Sequence, residues 1–557
     1  MWIRDARPDE ADELTRLVLR SKAHWGYDAA YIAACAPQLA LRAKEIVPRR
    51  TVVAEDDTGL LGVATLDGAP PDGGLGLLFV EPAAIRRGVG RTLYAHVLDT
   101  ARALGFRRLT LDADPHAEGF YRELGARPGP VRGGVGAQPR FEVPLPVRAG
   151  WAQAWTDGRR AVHLGNVGEF QEQFGGTTEE GRRAAGHYSC LAAFASPHPA
   201  VVVLPRAVPD GWIELVARQL GWARVEVYEA AERDLFERPA LVERLRGAGL
   251  PFVPWGHTST AQRLAARPLP PDALRYESKR ASHELFRRLA PDHPGVVVPD
   301  QWWPATRRAA ARIIAVRART GAATVLKGEH GAGGSGVRVL TRRTHALGLP
   351  RGPLLLEEHI AGDGRCPTYD GLVDARGEVH DVGVAAMDIR GTAYRGATVG
   401  PGAVPAGPAA IALRFGHAVG RELAATGYRG WYDVDFVTGP AGVLAPTETN
   451  LRMTGPSVAF LVKQRLDETR GGDHLVRTLD RVPLGARLPD AEAMALCREL
   501  MAKCAGIDTV LLPSIPTAAY EPDPYLGVVL AAATVHRLDA ADALVHAVCQ
   551  RLTGVFG

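Results

Sequence analysis

Two short apolar stretches constrain this chain most. Residues 431–437 (WYDVDFV) place Asp433 and Asp435 two apart, and residues 447–452 (TETNLR) place Glu448 and Asn450 two apart, followed by Arg452. Strand side chains alternate between faces with period two, so each pair points to one side of a sheet. Carboxylates set into apolar strands are costly to bury unless a cation meets them. Hard oxygen ligands from neighbouring strands suit Mg²⁺ beside nucleotide phosphates. An adjacent arginine can bind phosphate in bidentate fashion or steady developing charge.

The lysines sharpen this reading. Of 66 basic residues only six are lysines: Lys22, Lys44, Lys279, Lys327, Lys463 and Lys503. Arginine fills most basic positions, so each lysine is worth placing. Lys327 closes a strand (TVLK) and opens a glycine loop, GEHGAGGSGV, that lacks the GKS or GKT ending of a Walker A motif. Such a loop can fold its amides over terminal phosphates. Lys279 starts a helix in YESKRASHELF, and LLLEEHI (354–360) is a short apolar strand ending in Glu357 and Glu358.

The first 147 residues alternate strand and helix. LLFVEPAAIRRGVGRTLYAHVL runs strand, glycine turn, helix, and Gly88 and Gly90 lie at the helix start. Exposed amides at a helix N-terminus bind phosphate, and glycine lets the backbone approach it. Arg86, Arg87 and Arg91 add positive charge there.

The strand ending LFVEP, the RRGVG turn and the later AEGFYRELGA together resemble the GNAT acyltransferase family over residues 1–147. The resemblance implies that the backbone of Arg87, Gly88, Val89, Gly90, Arg91 and Thr92 cradles the pyrophosphate of acetyl-CoA. It implies that Tyr121 is the general acid for the departing thiolate, a role a phenol can fill. SKAHWGYD looks like the family's acceptor-side segment, and Trp25 and Tyr27 are either acceptor contacts or core. The family usually carries Gln or Arg three residues before the first glycine, where this chain has Ile85.

The ordered set SK, LK with its glycine loop, EEHI, DVDF and E-x-N-x-R resembles the ATP-grasp superfamily over roughly residues 255–470. By that resemblance Lys279 and Lys327 bind ATP phosphates, with Gly333, Gly334, Ser335 and Gly336 in the loop as a lid. Glu357, Glu358 and Ile360 line the adenine pocket, partly through backbone. Asp435, Glu448 and Asn450 hold Mg²⁺ (or Mn²⁺), and Arg452 stabilises the transferred phosphoryl group. The role of Asp433 stays open, and Asp363 is the weak match to the family's ribose acid. Tyr394, Arg395 and Thr454 are guessed as substrate contacts.

Residues 148–196 are expected as a linker, 197–260 as the small α/β unit that precedes an ATP-grasp core, 261–475 as that core and 476–557 as mostly helical. The fold class is α/β (α+β), multidomain. The expected function is bifunctional: acetyl-CoA-dependent N-acylation, and ATP-dependent amide ligation through an acyl phosphate on amino-acid-like carboxylates and amines. The domain order is similar to that of N-acetylglutaminylglutamine synthetases, and the C-terminal part to ATP-grasp peptide ligases of natural-product pathways. The alternative keeps only the ligase, with the GNAT half as a CoA-binding scaffold. A net charge of +4 argues against a nucleic-acid partner. No stretch has the apolar length to span a bilayer, and no N-terminal apolar run marks a signal peptide. Six cysteines without a CxxC pair give neither a zinc site nor a disulfide framework, so a cytoplasmic protein is expected. A homodimer is the default assembly.

Overall fold

The structure is a computed structural model of the 557-residue chain. It describes all residues except 125, 130–138, 146–148, 176–177, 230–234, 236, 266–267, 332–336, 343–348, 351–353, 363, 365 and 553–557. The chain is mixed α/β and divides into two units, Met1–Arg148 with Leu466–Gly472, and Ala149–Arg465 with Asp473–Gly557.

The first unit is built on one sheet of β1 (Trp2–Asp5), β2 (Val52–Asp56), β3 (Gly59–Ala69), β4 (Asp72–Val80), β5 (Arg108–Asp112), β6 (Arg127–Pro128) and β7 (Arg140–Pro144). Its order is β1-β2-β3-β4-β5-β7-β6, and β4 with β5 is the parallel pair. The period-two pattern of β2 sends Val52 and Ala54 to one side and Val53 to the other. On the first side the Val89–Ala103 helix packs Val89, Leu93, Val97 and Ala101 at helical spacing. On the second, the Ala11–Ala23 helix packs Leu14, Leu17 and Val18 against Val53, Val63 and Leu77. Each such large apolar side chain contributes about 1.5–3 kcal/mol on burial.

A charged network ties the start of this unit to β2. Glu10 accepts from Arg4 at 2.7 Å and from Arg7 at 2.8 Å, and Arg4 also reaches Glu55 at 2.6 Å. The hydrogen bond from Arg4 is the largest influence on Glu10 and holds its carboxyl below the ordinary value. A depressed folded-state pKa adds stability that is present above the unfolded carboxylate pKa and lost as pH falls through the folded one. Acid titration followed by circular dichroism is therefore expected to show a decline that Glu10→Gln flattens. An unchanged acid limb in the variant would count against this network.

The second unit opens with a parallel sheet, order β10-β9-β8-β11, of β8 (Ala161–Leu164), β9 (Pro199–Leu204), β10 (Glu226–Glu229) and β11 (Phe252–Pro254). The segment 148–196 is thus no linker. It carries β8 and the helices Gly150–Thr156, Val167–Glu172 and Glu179–Tyr188. β8 is only four residues long and buried throughout, so its stability comes from β9 and β11 rather than from any local pattern.

Next come β12 (Gln301–Trp302), β13 (Thr324–Lys327), β14 (Arg338–Leu340) and β15 (Leu355–Glu358), in the order β12-β15-β13-β14. The last sheet has eight antiparallel strands: β16 (Cys366–Val373), β17 (Val379–Arg390), β18 (Ala393–Val399), β19 (Gly430–Thr438), β20 (Leu444–Asn450), β21 (Leu475–Pro483), β22 (Val510–Ile515) and β23 (Tyr525–Ala532). Their order is β20-β19-β16-β17-β18-β21-β23-β22. The Ala406–Ala425 helix backs this sheet, and Phe415 and Val419 join Tyr369, Tyr432, Val434 and Phe436 in one core. Gly416 and Gly420, one helical turn apart, leave no room for a Cβ against the rings of Tyr369 and Tyr432, so the helix lies close on the strands.

The region 476–557 is not mostly helical. Strands β21 to β23 alternate there with the helices Asp490–Ala505 and Val535–Gln550. Pro513 is tolerated because β22 is the outer strand of the sheet. Among the described residues no helix is long and apolar enough to cross a membrane.

Candidate functional site

In the first unit, β4 and β5 pair only from Asp72/Arg108 to Gly74/Thr110, although β4 runs on to Val80 and β5 to Asp112. The two strands part on the side where the glycine turn follows β4. Gly88 has φ +83° and caps the Val89–Ala103 helix, a conformation that favours glycine, whereas the positive φ of Arg86 is borne by a side-chain residue. The first helical amides, Val89 to Arg91, have no intrahelical partner and face outward along the helix axis. Thr92 differs from the expectation: its amide and its hydroxyl both donate to the Gly88 carbonyl, at 3.0 and 3.1 Å. Arg87 and Arg91 are exposed and paired with Asp56 and Glu123.

Tyr121 is buried among Tyr94, Phe120 and Phe141, and burial pushes its phenol well above the usual range, so it keeps its proton. Just past β5 lies a constellation the sequence reading missed. The buried Lys22 meets Asp114 at 2.6 Å, and the Tyr27 hydroxyl donates to the same carboxylate at 3.1 Å. Burial works against the Asp114 charge, but Lys22 and the His116 amide outweigh it and hold the group low. Trp25 stacks on His116 with ring centroids 5.3 Å apart. The signal was present in the sequence: Lys22 is one of the six lysines.

In the second unit, strand register decides which side chains share a face. Asp433 stands opposite Asn450 and Asp435 opposite Glu448 across β19 and β20. Across β16 and β19, Asp370 stands opposite Asp433 and Thr368 opposite Asp435. All of these point away from the Ala406–Ala425 helix. The two pairs read from the sequence, three acids and one amide, therefore do meet, and Asp370 joins them. The Asn450 amide nitrogen donates to Asp433 at 2.6 Å and to Asp435 at 3.3 Å, and its oxygen accepts from Arg452 at 2.7 Å. Arg452 also pairs with Glu277, whose other oxygen accepts from the Leu451 amide at 2.6 Å.

The two lysines come from separate elements. Ser278 caps the Lys279–Leu289 helix, and Lys279 reaches Glu448 at 2.6 Å. Lys327, at the end of β13, meets Glu357 of β15 at 2.5 Å, and Gln301 donates to the second Glu357 oxygen at 2.7 Å. Glu357 thus holds Lys327 through its side chain. The Glu358 carboxylate lies 3.6 Å from Arg317, and its amide donates to Asp300. The base of the glycine loop is anchored to the helix start: Ser278 donates to the Glu329 carboxylate at 2.7 Å, and the Lys279 amide to the Glu329 carbonyl at 3.2 Å. Gly333, Gly334, Ser335, Gly336 and Asp363 lie outside the described residues. Ile360 is half-buried, close to Gly439.

The charges on this face do not balance. Burial first, then the nearby Glu448, pushes Asp435 up to about 8. Burial pushes Asp370 up to about 7, and burial, then Asp435, raises Asp433 well above its ordinary value. Glu448 is the exception: burial opposes its charge, but Lys279 and Lys327 outweigh it and hold the group low. Four acids thus face one direct lysine partner, because Arg452 answers Glu277 and Lys327 answers Glu357. A divalent cation taking oxygen ligands suits this excess of buried carboxylate. A second group of metal-type side chains, Asp374, Glu378 and His380, sits at the β16–β17 turn. One Asp374 oxygen there is already taken by the amides of Arg376 and Glu378.

No curated protein sequence matches the chain. Similar solved structures include carboxyaminoimidazole ribonucleotide synthase from Aspergillus clavatus complexed with ATP, at 12% identity and a TM-score of 0.43, covering 71% of this chain and 99% of that one. Biotin carboxylase from Campylobacter jejuni, as a β,γ-ATP complex, is similar at 14% identity and a TM-score of 0.43, covering 69% and 90%. The PaiA N-acetyltransferase from Thermoplasma acidophilum, with coenzyme A, is similar at 18% identity and a TM-score of 0.23, covering 26% and 98%. Residues 21–126 match the model of the Acetyltransferase (GNAT) family, so the first unit carries a GNAT-family domain.

Proposed function

We propose that the chain is a bifunctional enzyme: an acetyl-CoA-dependent N-acyltransferase in its first unit and an ATP- and Mg²⁺-dependent carboxylate–amine ligase of ATP-grasp type in its second. The observation that carries the ligase reading is the shared face of Asp433, Asp435, Glu448 and Asn450, bordered by Lys279 and Arg452. In this reading Asp435, Glu448 and Asn450 hold the metal. When bound, the ion draws charge from the transferring phosphoryl oxygens. Lys279 and Lys327 bind ATP phosphates, and Arg452 steadies the transferred phosphoryl group and then the tetrahedral intermediate at the acyl carbon.

The substrate carboxylate oxygen attacks the γ-phosphorus, and the bond to the β-phosphate bridging oxygen breaks, giving an acyl phosphate and ADP. The amine nitrogen then attacks the acyl carbon, and phosphate leaves. The chain's share is orientation, charge neutralisation and exclusion of water from the acyl phosphate. The glycine loop, its base pinned at Glu329, serves as the lid. In the first unit the amides of Gly88 to Arg91 receive the pyrophosphate, and Tyr121, protonated, donates to the thiolate. Amino-acid-like substrates and a cytoplasmic setting complete the proposal. Cys35, Cys190, Cys497, Cys504 and Cys549 are free thiols, in keeping with a reducing compartment.

The full chain is to be incubated with ATP, Mg²⁺, acetyl-CoA and a pool of amino acids, with mass spectrometry of the products. New amides formed with ADP and phosphate, some carrying an acetyl group, are expected. AMP in place of ADP, or no amide from any pair, would refute the ligase assignment. Ile85 favours a second reading, in which the GNAT domain only binds CoA. Thiol release from acetyl-CoA in the presence of assorted amines would exclude it.

A further inference from the structure

Beyond Arg452 the acid-bearing face of the eight-stranded sheet continues across β17 and β18 to β21. Arg477 of β21 turns to the rear and pairs with Asp539 and Asp542 of the Val535–Gln550 helix. Alternation sends Thr478 to the front; the register is irregular after Leu479, and the Tyr188 contact is what places Asp480 on that side. The Ala397 amide of β18 confirms the register by donating to the Thr478 hydroxyl at 2.9 Å. Asp480 is 6% exposed. One of its oxygens accepts from the Tyr188 hydroxyl at 2.9 Å. The other, Oδ1, is buried and has no hydrogen-bond partner among the described residues.

A chain of contacts runs from Asp480 through Tyr188 toward Arg452. Tyr188 packs edge-on against Trp255 at 5.7 Å, the Trp255 carbonyl accepts from the Met453 amide at 2.9 Å, and Gly256 bridges to Arg452. Tyr394 reaches the Thr478 hydroxyl at 3.5 Å and packs against Gly455, where a Cβ would collide with its hydroxyl. Burial raises both phenols, with the Asp480 charge the next cause for each, so both stay protonated. The wall thus presents the Asp480 carboxyl, which burial pushes up to about 7, on one side and a cation, Arg452, on the other, with Tyr188 between them.

A buried carboxylate oxygen without a donor is costly to keep, and such an orphan in a native fold calls for a partner. The partner must bring N–H groups and positive charge, and an ammonium group brings both. We infer that Asp480 receives the ammonium of the amine substrate, which is therefore a primary amine of the α-amino acid class, while Arg452 faces the acyl side. This rests on the ligase reading above and names its second substrate. The nitrogen first passes one proton to Asp480 Oδ1, which neutralises both partners. Its freed lone pair forms the C–N bond, the C–O bond to the phosphoryl group breaks with its electron pair leaving on phosphate, and the second proton follows from the amide nitrogen to phosphate.

The test uses the full chain with ATP, Mg²⁺ and a pool of the twenty common amino acids and their N-acetyl derivatives. One arm reads amide products. The other adds hydroxylamine, which is neutral at pH 7 and traps the acyl phosphate as a hydroxamate without needing an ammonium site. Asp480→Asn is expected to lower amide formation about 100-fold, the scale of a lost general base or charged hydrogen bond, and to leave hydroxamate formation intact, which also reports that the variant is folded. Tyr188→Phe, which keeps the carboxylate, is expected to raise the KM for amine about 10-fold with hydroxamate unchanged. Wild-type amide rates in Asp480→Asn would overturn the inference alone. Loss of hydroxamate in both variants would also overturn it, since the two residues would then serve the first half-reaction or the fold. No hydroxamate from the wild-type chain would instead sink the ligase reading itself.

Discussion

Glu448→Gln is expected to lower ATP-dependent ADP release by about 10²–10³-fold, the scale of removing one preorganised charge from a phosphoryl-transfer site. Glu448 is the best-placed residue for this experiment. It is partly exposed and isosteric with its replacement; its partner Lys279 is buried, so circular dichroism of the variant belongs to the experiment. Lys327 is a poorer choice. Its partner Glu357 is nearly fully buried, and stripping a buried charge of its partner costs about 3–5 kcal/mol. Such a variant would confuse unfolding with lost chemistry. Acetyl-CoA turnover by Glu448→Gln, read as thiol release, should match the parent protein. Loss of both activities in a protein with unchanged circular dichroism would mean the two units do not act as separate sites.

Phe415→Ala should be the most damaging single truncation behind the acid strands, by about 3–5 kcal/mol. The ring is fully buried in the Ala406–Ala425 helix and meets Phe286, His293 and Phe436 at centroid distances of 5.8, 5.4 and 6.0 Å. Its loss opens a cavity under β19, the strand that carries Asp433 and Asp435. The expected result in a denaturant titration is a lower midpoint for the second unit and an unmoved transition for the first. A shift below 1 kcal/mol would show that the helix can settle into the space, which the close approach at Gly416 and Gly420 argues against.

The pairs Asp433/Asp435 and Glu448/Asn450 were legible because period two is a local property and the register then only had to align them. The same holds for the glycine turn before Val89, where the φ of Gly88 is set by the turn itself. Asp370 was not legible. It sits in an apolar strand with no partner acid two residues away, and only pairing with β19 brings it to Asp433. Asp480 and Tyr188 are 292 residues apart, and no spacing rule joins a helix end to a distant strand. The misjudged regions share one cause. β8 and β22 are short and draw their stability from neighbouring strands, and Pro513 made β22 look like a break when it is an outer strand. The pairing of Glu357 with Lys327 was not legible either, because it depends on which strands lie side by side.

The strand order β20-β19-β16-β17-β18-β21-β23-β22 has a consequence for biogenesis. β19 inserts beside β16 only after β17 and β18 have been made, and β21 joins β18 later still. As the chain leaves the ribosome, a partly made sheet therefore presents bare backbone edges and carboxylates without their cations. Topologies dominated by distant pairings fold in milliseconds to seconds and expose sticky intermediates meanwhile. Recombinant yield should thus depend on slow translation and chaperone supply more than on the strength of any single contact in the finished protein.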